Sequence, residues 1–160
     1  LLLSEQEANG SRLGRWGANY IYGTWSVLEA MQLAKQDMKH TAVRRAVQWL
    51  KSVQREDGGW GESNDSYLDP KLAELETSTA FQTAWALLGL MAAGEVKSES
   101  VRRGINYLLS AQSSNHLWEE PWFTAPGFPR VFYLRYHGYS KFFPIWALAR
   151  YRRLTRENVA

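Results

Sequence analysis

Residues 43–62 combine a helical pattern with a tight glycine turn, and this unit limits the fold more than any other part of the sequence. Val43, Val47 and Leu50 recur at helical spacing, and the run Asp57-Gly58-Gly59 then stops the helix. Three residues at fixed offsets complete the unit: Gln54, Gly58 and Trp60. A glutamine amide at a helix end can bond the unpaired backbone groups of a neighbouring helix, and a tryptophan can stack on that amide. We therefore expect the unit to staple two helices.

The unit recurs farther along the chain. Residues 103–112, followed by Trp118, repeat the basic, small, aromatic, leucine and glutamine positions at the same offsets, with Gln112 as the glutamine. A weaker copy opens the chain with Gln6. The glutamines lie about 50 residues apart, a period that is typical of helical hairpins that bury their faces against one another.

Two of the copies depart from the pattern. Arg12 stands where the first copy would have its tryptophan, so that turn lacks the stacking partner. His116 stands where a glycine would accept left-handed φ. We expect the turn at His116 to differ from the others or to be strained, because a side chain is disfavoured in that conformation.

The repeated pattern resembles the QW repeat of triterpene cyclases. The stretches 14–24 and 127–144 also resemble the bacterial squalene–hopene cyclases, and the resemblance covers nearly the whole chain. It implies an all-α fold, an α–α barrel with QW-type repeats. It also implies that residues 1–160 are the C-terminal part of that barrel domain, a fragment of a longer enzyme.

The residue pattern predicts helices almost throughout. Thr24 is expected to cap a helix over 25–34, and Pro144 is expected to open a last helix over 145–153. The remaining predicted helices cover 41–54, 78–93 and 99–112. Residues 119–130 contain three prolines and cannot form one regular helix, and 131–143 are ambiguous between strand and helix.

Composition narrows the possible classes. The chain is 45% hydrophobic and 14% aromatic, and it contains no cysteine, which excludes a disulfide framework and a thiolate metal site. The longest weakly polar run, 83–94, is too short for a spanning helix, and no signal peptide is evident. The net charge of +3 comes partly from arginines at 150, 152, 153 and 156. That cluster is either a solvated helix end or a site of attraction to anionic lipid.

Sequence motifs for catalysis are absent. The chain has no phosphate-binding glycine loop and no His-Glu-x-x-His motif, and the scattered His40, His116 and His137 argue against a metal site. The Asp-x-Asp-Asp acid of the resembled family does not occur either. The resemblance therefore implies that the proton donor lies upstream of residue 1, and that this chain supplies cavity wall instead of a catalytic residue.

The resemblance assigns roles to six aromatic residues: Trp16, Tyr22, Phe128, Phe132, Tyr136 and Tyr139. Trp16 and Tyr22 match positions near the initiating end, where Tyr22 would support the acid, and the other four match aromatics that flank later cations. Aromatic faces stabilise carbocations without acting as bases. Ordinary packing is the alternative reading of all six. The last four share one face if 128–139 is a helix, but Gly127, Pro129 and Gly138 argue against one uninterrupted helix.

Three function classes remain open. The first is cyclisation of squalene to hopene and hopanol without a cofactor, by a monotopic enzyme on the cytoplasmic side of a bacterial membrane. The second is a prenyltransferase-like barrel subunit, disfavoured because its zinc ligands are missing. The third is a non-catalytic helical scaffold. We expect squalene, the membrane surface and the rest of the cyclase chain as partners, a homodimer as an option, and no nucleic acid. The isolated chain is predicted to be inactive.

Overall fold

A computed structural model describes residues 4–128 and 130–157, apart from the side chains of residues 74, 75 and 157. Five helices follow one another: α1 (Tyr20–Leu33), α2 (Thr41–Ser52), α3 (Ala80–Ala92), α4 (Glu99–Ser110) and α5 (Tyr139–Glu157). Two antiparallel ribbons lie between them, β1 (Trp60–Glu62) with β2 (Glu74–Thr79), and β3 (Ala125–Phe128) with β4 (Phe132–Leu134). The fold of the described residues is thus rich in helix, as the sequence predicts, with paired strands in two short ribbons. Pro129 lies outside the described residues.

Helix α3 is the centre of the fold. All thirteen of its residues are buried, as expected for a helix that is apolar on every side. Helices α1 and α5 pack against it, and α5 also contacts α1 through an ion pair between Arg150 and Glu29, with 2.6 Å from Nη1 to Oε1. Helices α2 and α4 are amphipathic and turn only one face inward. The hydrophobic core therefore lies where α1, α2, α4 and α5 surround α3.

Helix α1 begins five residues earlier than the sequence predicts. Thr24 is not its cap but an interior residue, whose hydroxyl accepts the backbone N–H of Arg12 at 2.9 Å. The cap comes from Glu62, whose carboxylate oxygens each lie 3.0 Å from the backbone nitrogens of Tyr20 and Ile21. A cap supplied from 42 residues away leaves no signal near the helix itself.

Helix α5 also begins earlier than predicted. Pro144 lies inside it and does not open it. Proline removes one backbone N–H, so the carbonyl of Ser140 loses its helical partner. Tyr139 and Phe143 lie one turn apart on α5, and both rings pack against Trp85 of α3. This packing explains why the helix extends past the proline.

The three turns of the repeat share one geometry. In the second turn the amide of Gln54 donates to the Gly58 carbonyl at 2.8 Å, and Gly58 has a φ of +89°. The first turn repeats this with Gln6 and Gly10, and the third with Gln112 and His116, whose φ is +62°. His116 thus takes the left-handed conformation that glycine would otherwise occupy.

The tryptophans of the repeat lie under the helix that precedes them. The indole N–H of Trp60 donates to the Leu50 carbonyl at 2.8 Å, and that of Trp118 donates to the Leu108 carbonyl at 2.8 Å. Both acceptors belong to the last turn of a helix, where carbonyls have no helical partner. Each tryptophan is almost fully buried and so joins its turn to the preceding helix.

Candidate functional site

Six aromatic side chains from three helices form a connected group, which we call the aromatic cluster: Tyr22 and Trp25 of α1, Phe81 and Trp85 of α3, Tyr139 and Phe143 of α5. Trp85 is its centre. Its ring lies 5.0 Å from Tyr22 and 5.8 Å from Tyr139 between centroids, both edge to face, and it stacks on Trp25 at 5.9 Å. Two residues that the sequence singled out, Tyr22 and Tyr139, thus meet on one buried indole.

Helical spacing brings the aromatic cluster together. Each helix contributes two rings three or four positions apart, which places both on the same face. The sequence shows this spacing, but it does not show that the three faces converge, and Trp25 was not singled out for that reason.

The two phenols of the aromatic cluster stay protonated. Burial raises the pKa of Tyr22, and burial together with the neighbouring Tyr22 and Tyr136 raises the pKa of Tyr139. Neither ring becomes a phenolate base near neutral pH. The six rings thus offer aromatic faces and neutral hydroxyls, which suit the stabilisation of a positive charge and not proton abstraction.

Trp16 lies in the loop before α1 and is 52% exposed. The Tyr67 hydroxyl fixes this loop, since it lies 3.0 Å from the Gly14 carbonyl and 2.9 Å from the Gly17 carbonyl. The ring of Tyr22 packs against the same two glycines, where a Cβ would come within 2.9 and 2.5 Å of it. The loop that carries Trp16 is therefore held against Tyr22, but no ring contact joins Trp16 itself to the aromatic cluster.

Phe128 and Phe132 lie in the β3–β4 hairpin, where they face each other across the strands with ring centroids 5.8 Å apart. Tyr136 follows in a loop and contacts Tyr139, at the start of α5, at 5.0 Å. The idea that these four share one helix face is wrong, because the described residues form a hairpin, then a loop and then the start of α5. The structure forms two pairs instead.

An open cavity of about 480 Å³ lies beside the aromatic cluster. Phe81, Tyr136 and Tyr139 contribute to its wall, but so do charged side chains such as Glu120 and Lys141. The cavity does not reach Trp16, Tyr22, Phe128 or Phe132. The described residues thus form part of an aromatic wall and do not enclose a dry pocket.

A buried carboxylate and a half-buried one act as helix caps from a common position in the repeat. Glu62 and Glu120 each follow a repeat tryptophan by two residues, and Glu120 accepts the backbone N–H of Ala80 at the start of α3. Burial raises the pKa of Glu120 to about 7, although the N–H groups of Ala80 and Phe81 oppose the shift. Their shared offset was the signal in the sequence. Glu119, in contrast, is exposed.

The described residues contain no group of three or more His, Cys, Asp or Glu side chains that could hold a metal ion. Within the same residues, no helix is both long and apolar enough to cross a membrane.

Comparison with known proteins relates this geometry to one family. Residues 1–153 match the model of the squalene-hopene cyclase C-terminal domain. The squalene–hopene cyclase of Zymomonas mobilis is 61% identical over 98% of this chain, and that of Alicyclobacillus acidocaldarius is 45% identical over 95%. The chain covers 24% of either relative, so it spans about a quarter of their length.

A solved structure supports the fold. The type II terpene cyclase MstE from Scytonema matches with a TM-score of 0.60 at 22% identity, over 81% of this chain and 36% of that one. The family match covers nearly every residue from which the aromatic cluster, the hairpin and the three repeat turns are built. The chain belongs to the squalene–hopene cyclase C-terminal domain family.

Proposed function

We propose that this chain is the C-terminal part of a squalene–hopene cyclase, and that the longer polypeptide converts squalene to hopene and hopanol. The observation that carries the proposal is the meeting of Tyr22 and Tyr139 on the buried Trp85, which forms a surface of aromatic faces. Such a surface can stabilise a carbocation but cannot remove its proton. The family membership supports squalene as the substrate. Relatives of which this chain covers about a quarter carry squalene–hopene cyclase in their names.

In this reaction the residues of this chain form part of the wall of the reaction cavity. Each aromatic face in contact with a desolvated cation contributes about 1–2 kcal/mol. Trp16 and Tyr22 flank the initiating end, where the neutral Tyr22 hydroxyl supports the acid. Phe128 and Phe132 flank later cations, as does the pair of Tyr136 and Tyr139. The proton donor belongs to a part of the polypeptide outside this chain, and the reaction uses no metal or organic cofactor.

The longer polypeptide forms an α–α barrel. In this arrangement α1, α3 and α5 are inner helices, and α2 and α4 are outer helices. The alternation supports it, because the fully buried α3 lies between one-sided, amphipathic helices. Closure of the ring by the rest of the polypeptide then excludes water from the aromatic wall, which strengthens every cation–aromatic contact.

The enzyme works at the cytoplasmic face of a bacterial membrane, as a monotopic protein and with the option of a homodimer. An apolar C30 substrate partitions into lipid, so access from the membrane suits it. Exposed Ile145 and Trp146 of α5, together with exposed Arg152, Arg153 and Arg156 farther along the helix, provide the apolar and basic side chains that favour an anionic lipid surface.

The proposal is tested by incubating the purified longer polypeptide with squalene and analysing the products by gas chromatography with mass spectrometry. We expect hopene and hopanol above a boiled control. The isolated chain should give neither product, because it lacks the acid and an enclosed cavity. A longer polypeptide that folds but leaves squalene unchanged would contradict the proposal and favour a helical scaffold.

A further inference from the structure

A short 3₁₀ turn, Asn64–Tyr67, lies between two segments that carry candidate-site residues. One segment is the loop before α1, residues 14–19, which carries Trp16. The other is the β3–β4 hairpin, which carries Phe128 and Phe132. The sequence assigned no role to the 3₁₀ turn, yet the turn contacts both segments.

Tyr67 is the contact between the 3₁₀ turn and the loop. Its hydroxyl lies 3.0 Å from the Gly14 carbonyl oxygen and 2.9 Å from that of Gly17, and the residue is buried. A hydroxyl has a single proton, so the two carbonyls share it. Burial and the neighbouring Glu62 raise the pKa of Tyr67, which keeps this proton in place near neutral pH. The loop thus folds around the hydroxyl, with Trp16 between its two anchored glycines.

The backbone of the same turn holds the hairpin. Arg130 donates through Nε to the Tyr67 carbonyl at 2.5 Å, and the Tyr133 hydroxyl donates to the Asn64 carbonyl at 3.3 Å. Arg130 has a φ of +69°, which is uncommon for a residue with a side chain. Its bond to Tyr67 therefore supports the hairpin at the point where the chain reverses.

Two further bonds close the arrangement. The backbone N–H of Ala18 in the loop donates to the Thr124 carbonyl, directly before β3, at 2.8 Å. The side chain of Asn64 donates through Nδ2 to the Phe123 carbonyl at 2.9 Å. Loop, 3₁₀ turn and hairpin are thus bonded pairwise, so a shift of one segment displaces the other two.

We propose that Tyr67 is a positioning residue of the cyclisation, which acts through Trp16 and the pair of Phe128 and Phe132 by setting the distance between them. The inference rests on the proposed function, in which these three rings are cavity wall. A large part of each ring is exposed in this chain, so the backbone segments decide where the rings lie. A misplacement of about 1 Å can lower a reaction rate by about 100-fold, so a loosened loop should affect the reaction.

Tyr107 provides a matched control. Its hydroxyl donates to the Ser78 carbonyl at 2.8 Å, and burial raises its pKa as it does that of Tyr67. This bond joins α4 to β2, and neither element belongs to the three bonded segments. Replacement by phenylalanine at either position removes one hydroxyl and leaves the ring in place. Only Tyr67→Phe should loosen the Trp16 loop.

A double-mutant cycle in the longer polypeptide, with squalene as substrate, tests the role. Tyr67→Phe should lower kcat by about tenfold with little change in KM, and it should raise the share of partly cyclised products. With Trp16→Ala already present, the same substitution should have a much smaller effect, because one of the rings that it positions is gone. Tyr107→Phe should leave kcat and the product pattern unchanged. Equal effects of the two tyrosine variants, or an effect of Tyr67→Phe that is the same with and without Trp16, overturn the inference.

Hydrogen exchange on the same preparations separates the inference from the proposed function. Tyr67→Phe should speed exchange of the Ala18 amide and of the hairpin amides several-fold, and Tyr107→Phe should not. Unchanged exchange refutes the positioning role even if the polypeptide is active. A folded parent polypeptide that leaves squalene unchanged refutes the proposed function, whatever the exchange shows.

Arg130→Met is the second variant, for the case that Tyr67→Phe does not fold. It removes the donor to the Tyr67 carbonyl at an exposed position and should loosen only the hairpin. Partly cyclised products from Arg130→Met support the role of the 3₁₀ turn. The product pattern of the parent polypeptide, with faster exchange of the hairpin amides, overturns it.

Discussion

Gly58→Ala should destabilise the second repeat turn far more than Gly94→Ala destabilises the end of α3. Both glycines have positive φ, +89° and +83°, so an alanine costs about 1–2 kcal/mol of backbone strain at either position. Nothing lies within 4 Å of a Cβ at Gly94, whereas at Gly58 it would meet the Arg103 carbonyl oxygen at 2.7 Å. The pair of variants therefore separates conformational strain from the close approach of α4.

The additional cost at Gly58 follows from the displacement of α4. An ordinary contact requires α4 to move by roughly 0.7 Å. The bond from Gln54 to the Ser100 carbonyl is 2.9 Å, so this movement stretches it beyond hydrogen-bonding range. A lost bond and a residual clash add about 1–3 kcal/mol, which gives about 2–5 kcal/mol for Gly58→Ala against about 1–2 for Gly94→Ala.

Hydrogen exchange of the α4 amides, followed by mass spectrometry in the longer polypeptide, measures the difference. Gly58→Ala should lower the opening free energy of α4, and Gly94→Ala should affect chiefly the end of α3. Equal effects of the two variants, within ~0.5 kcal/mol, would refute the reasoning that α4 is held by close approach to the turn.

Two further predictions concern the repeat. Trp60→Ala should lower the free energy of unfolding by about 3–5 kcal/mol, since the ring is fully buried, while Trp122→Ala, at a 44% exposed side chain, should cost far less. Thermal melting checks this, and a changed product pattern at unchanged melting would place Trp60 in the cavity instead. Glu120 keeps its proton up to about pH 7 in the folded chain, but in the unfolded chain it loses the proton near its ordinary pKa. The free energy of unfolding should therefore fall as the pH rises from ~5 to ~7. Glu120→Gln should flatten this dependence relative to Glu119→Gln, and an unaltered pH profile would contradict it.

Helices whose signals lie within their own segments were predicted from the sequence. The ends of α2, α3 and α4 were predicted to within two residues, because apolar periodicity and the stop at Gly94 lie within the segments themselves. The starts of α1 and α5 were missed because they depend on distant partners. Glu62 caps α1 from another repeat, and the aromatic packing of Tyr139 on α3 outweighs the loss caused by Pro144.

In the candidate site, too, local motifs were predicted, but contacts between distant segments were not. Sequence motifs singled out Tyr22 and Tyr139, but neither motif contains Trp85, the ring on which both meet. A convergence of three helix faces is a tertiary property, so single-helix spacing could not show it. The spacing of Phe128 and Phe132 was equally ambiguous, because a four-residue offset fits one helix turn as well as a hairpin.

The central claim, that aromatic residues of this chain flank the cations of cyclisation, is tested most directly by the product pattern of Phe132→Ala in the longer polypeptide. Removal of one aromatic face raises the energy of the cation beside it, so the cascade should stop early and release partly cyclised products in gas chromatography. Phe142→Ala, at an exposed α5 position outside the candidate site, is the matched control and should keep hopene as the product. If Phe132→Ala, with folding verified by circular dichroism, lowers the yield but leaves the product pattern unchanged, Phe132 only packs and the account is contradicted.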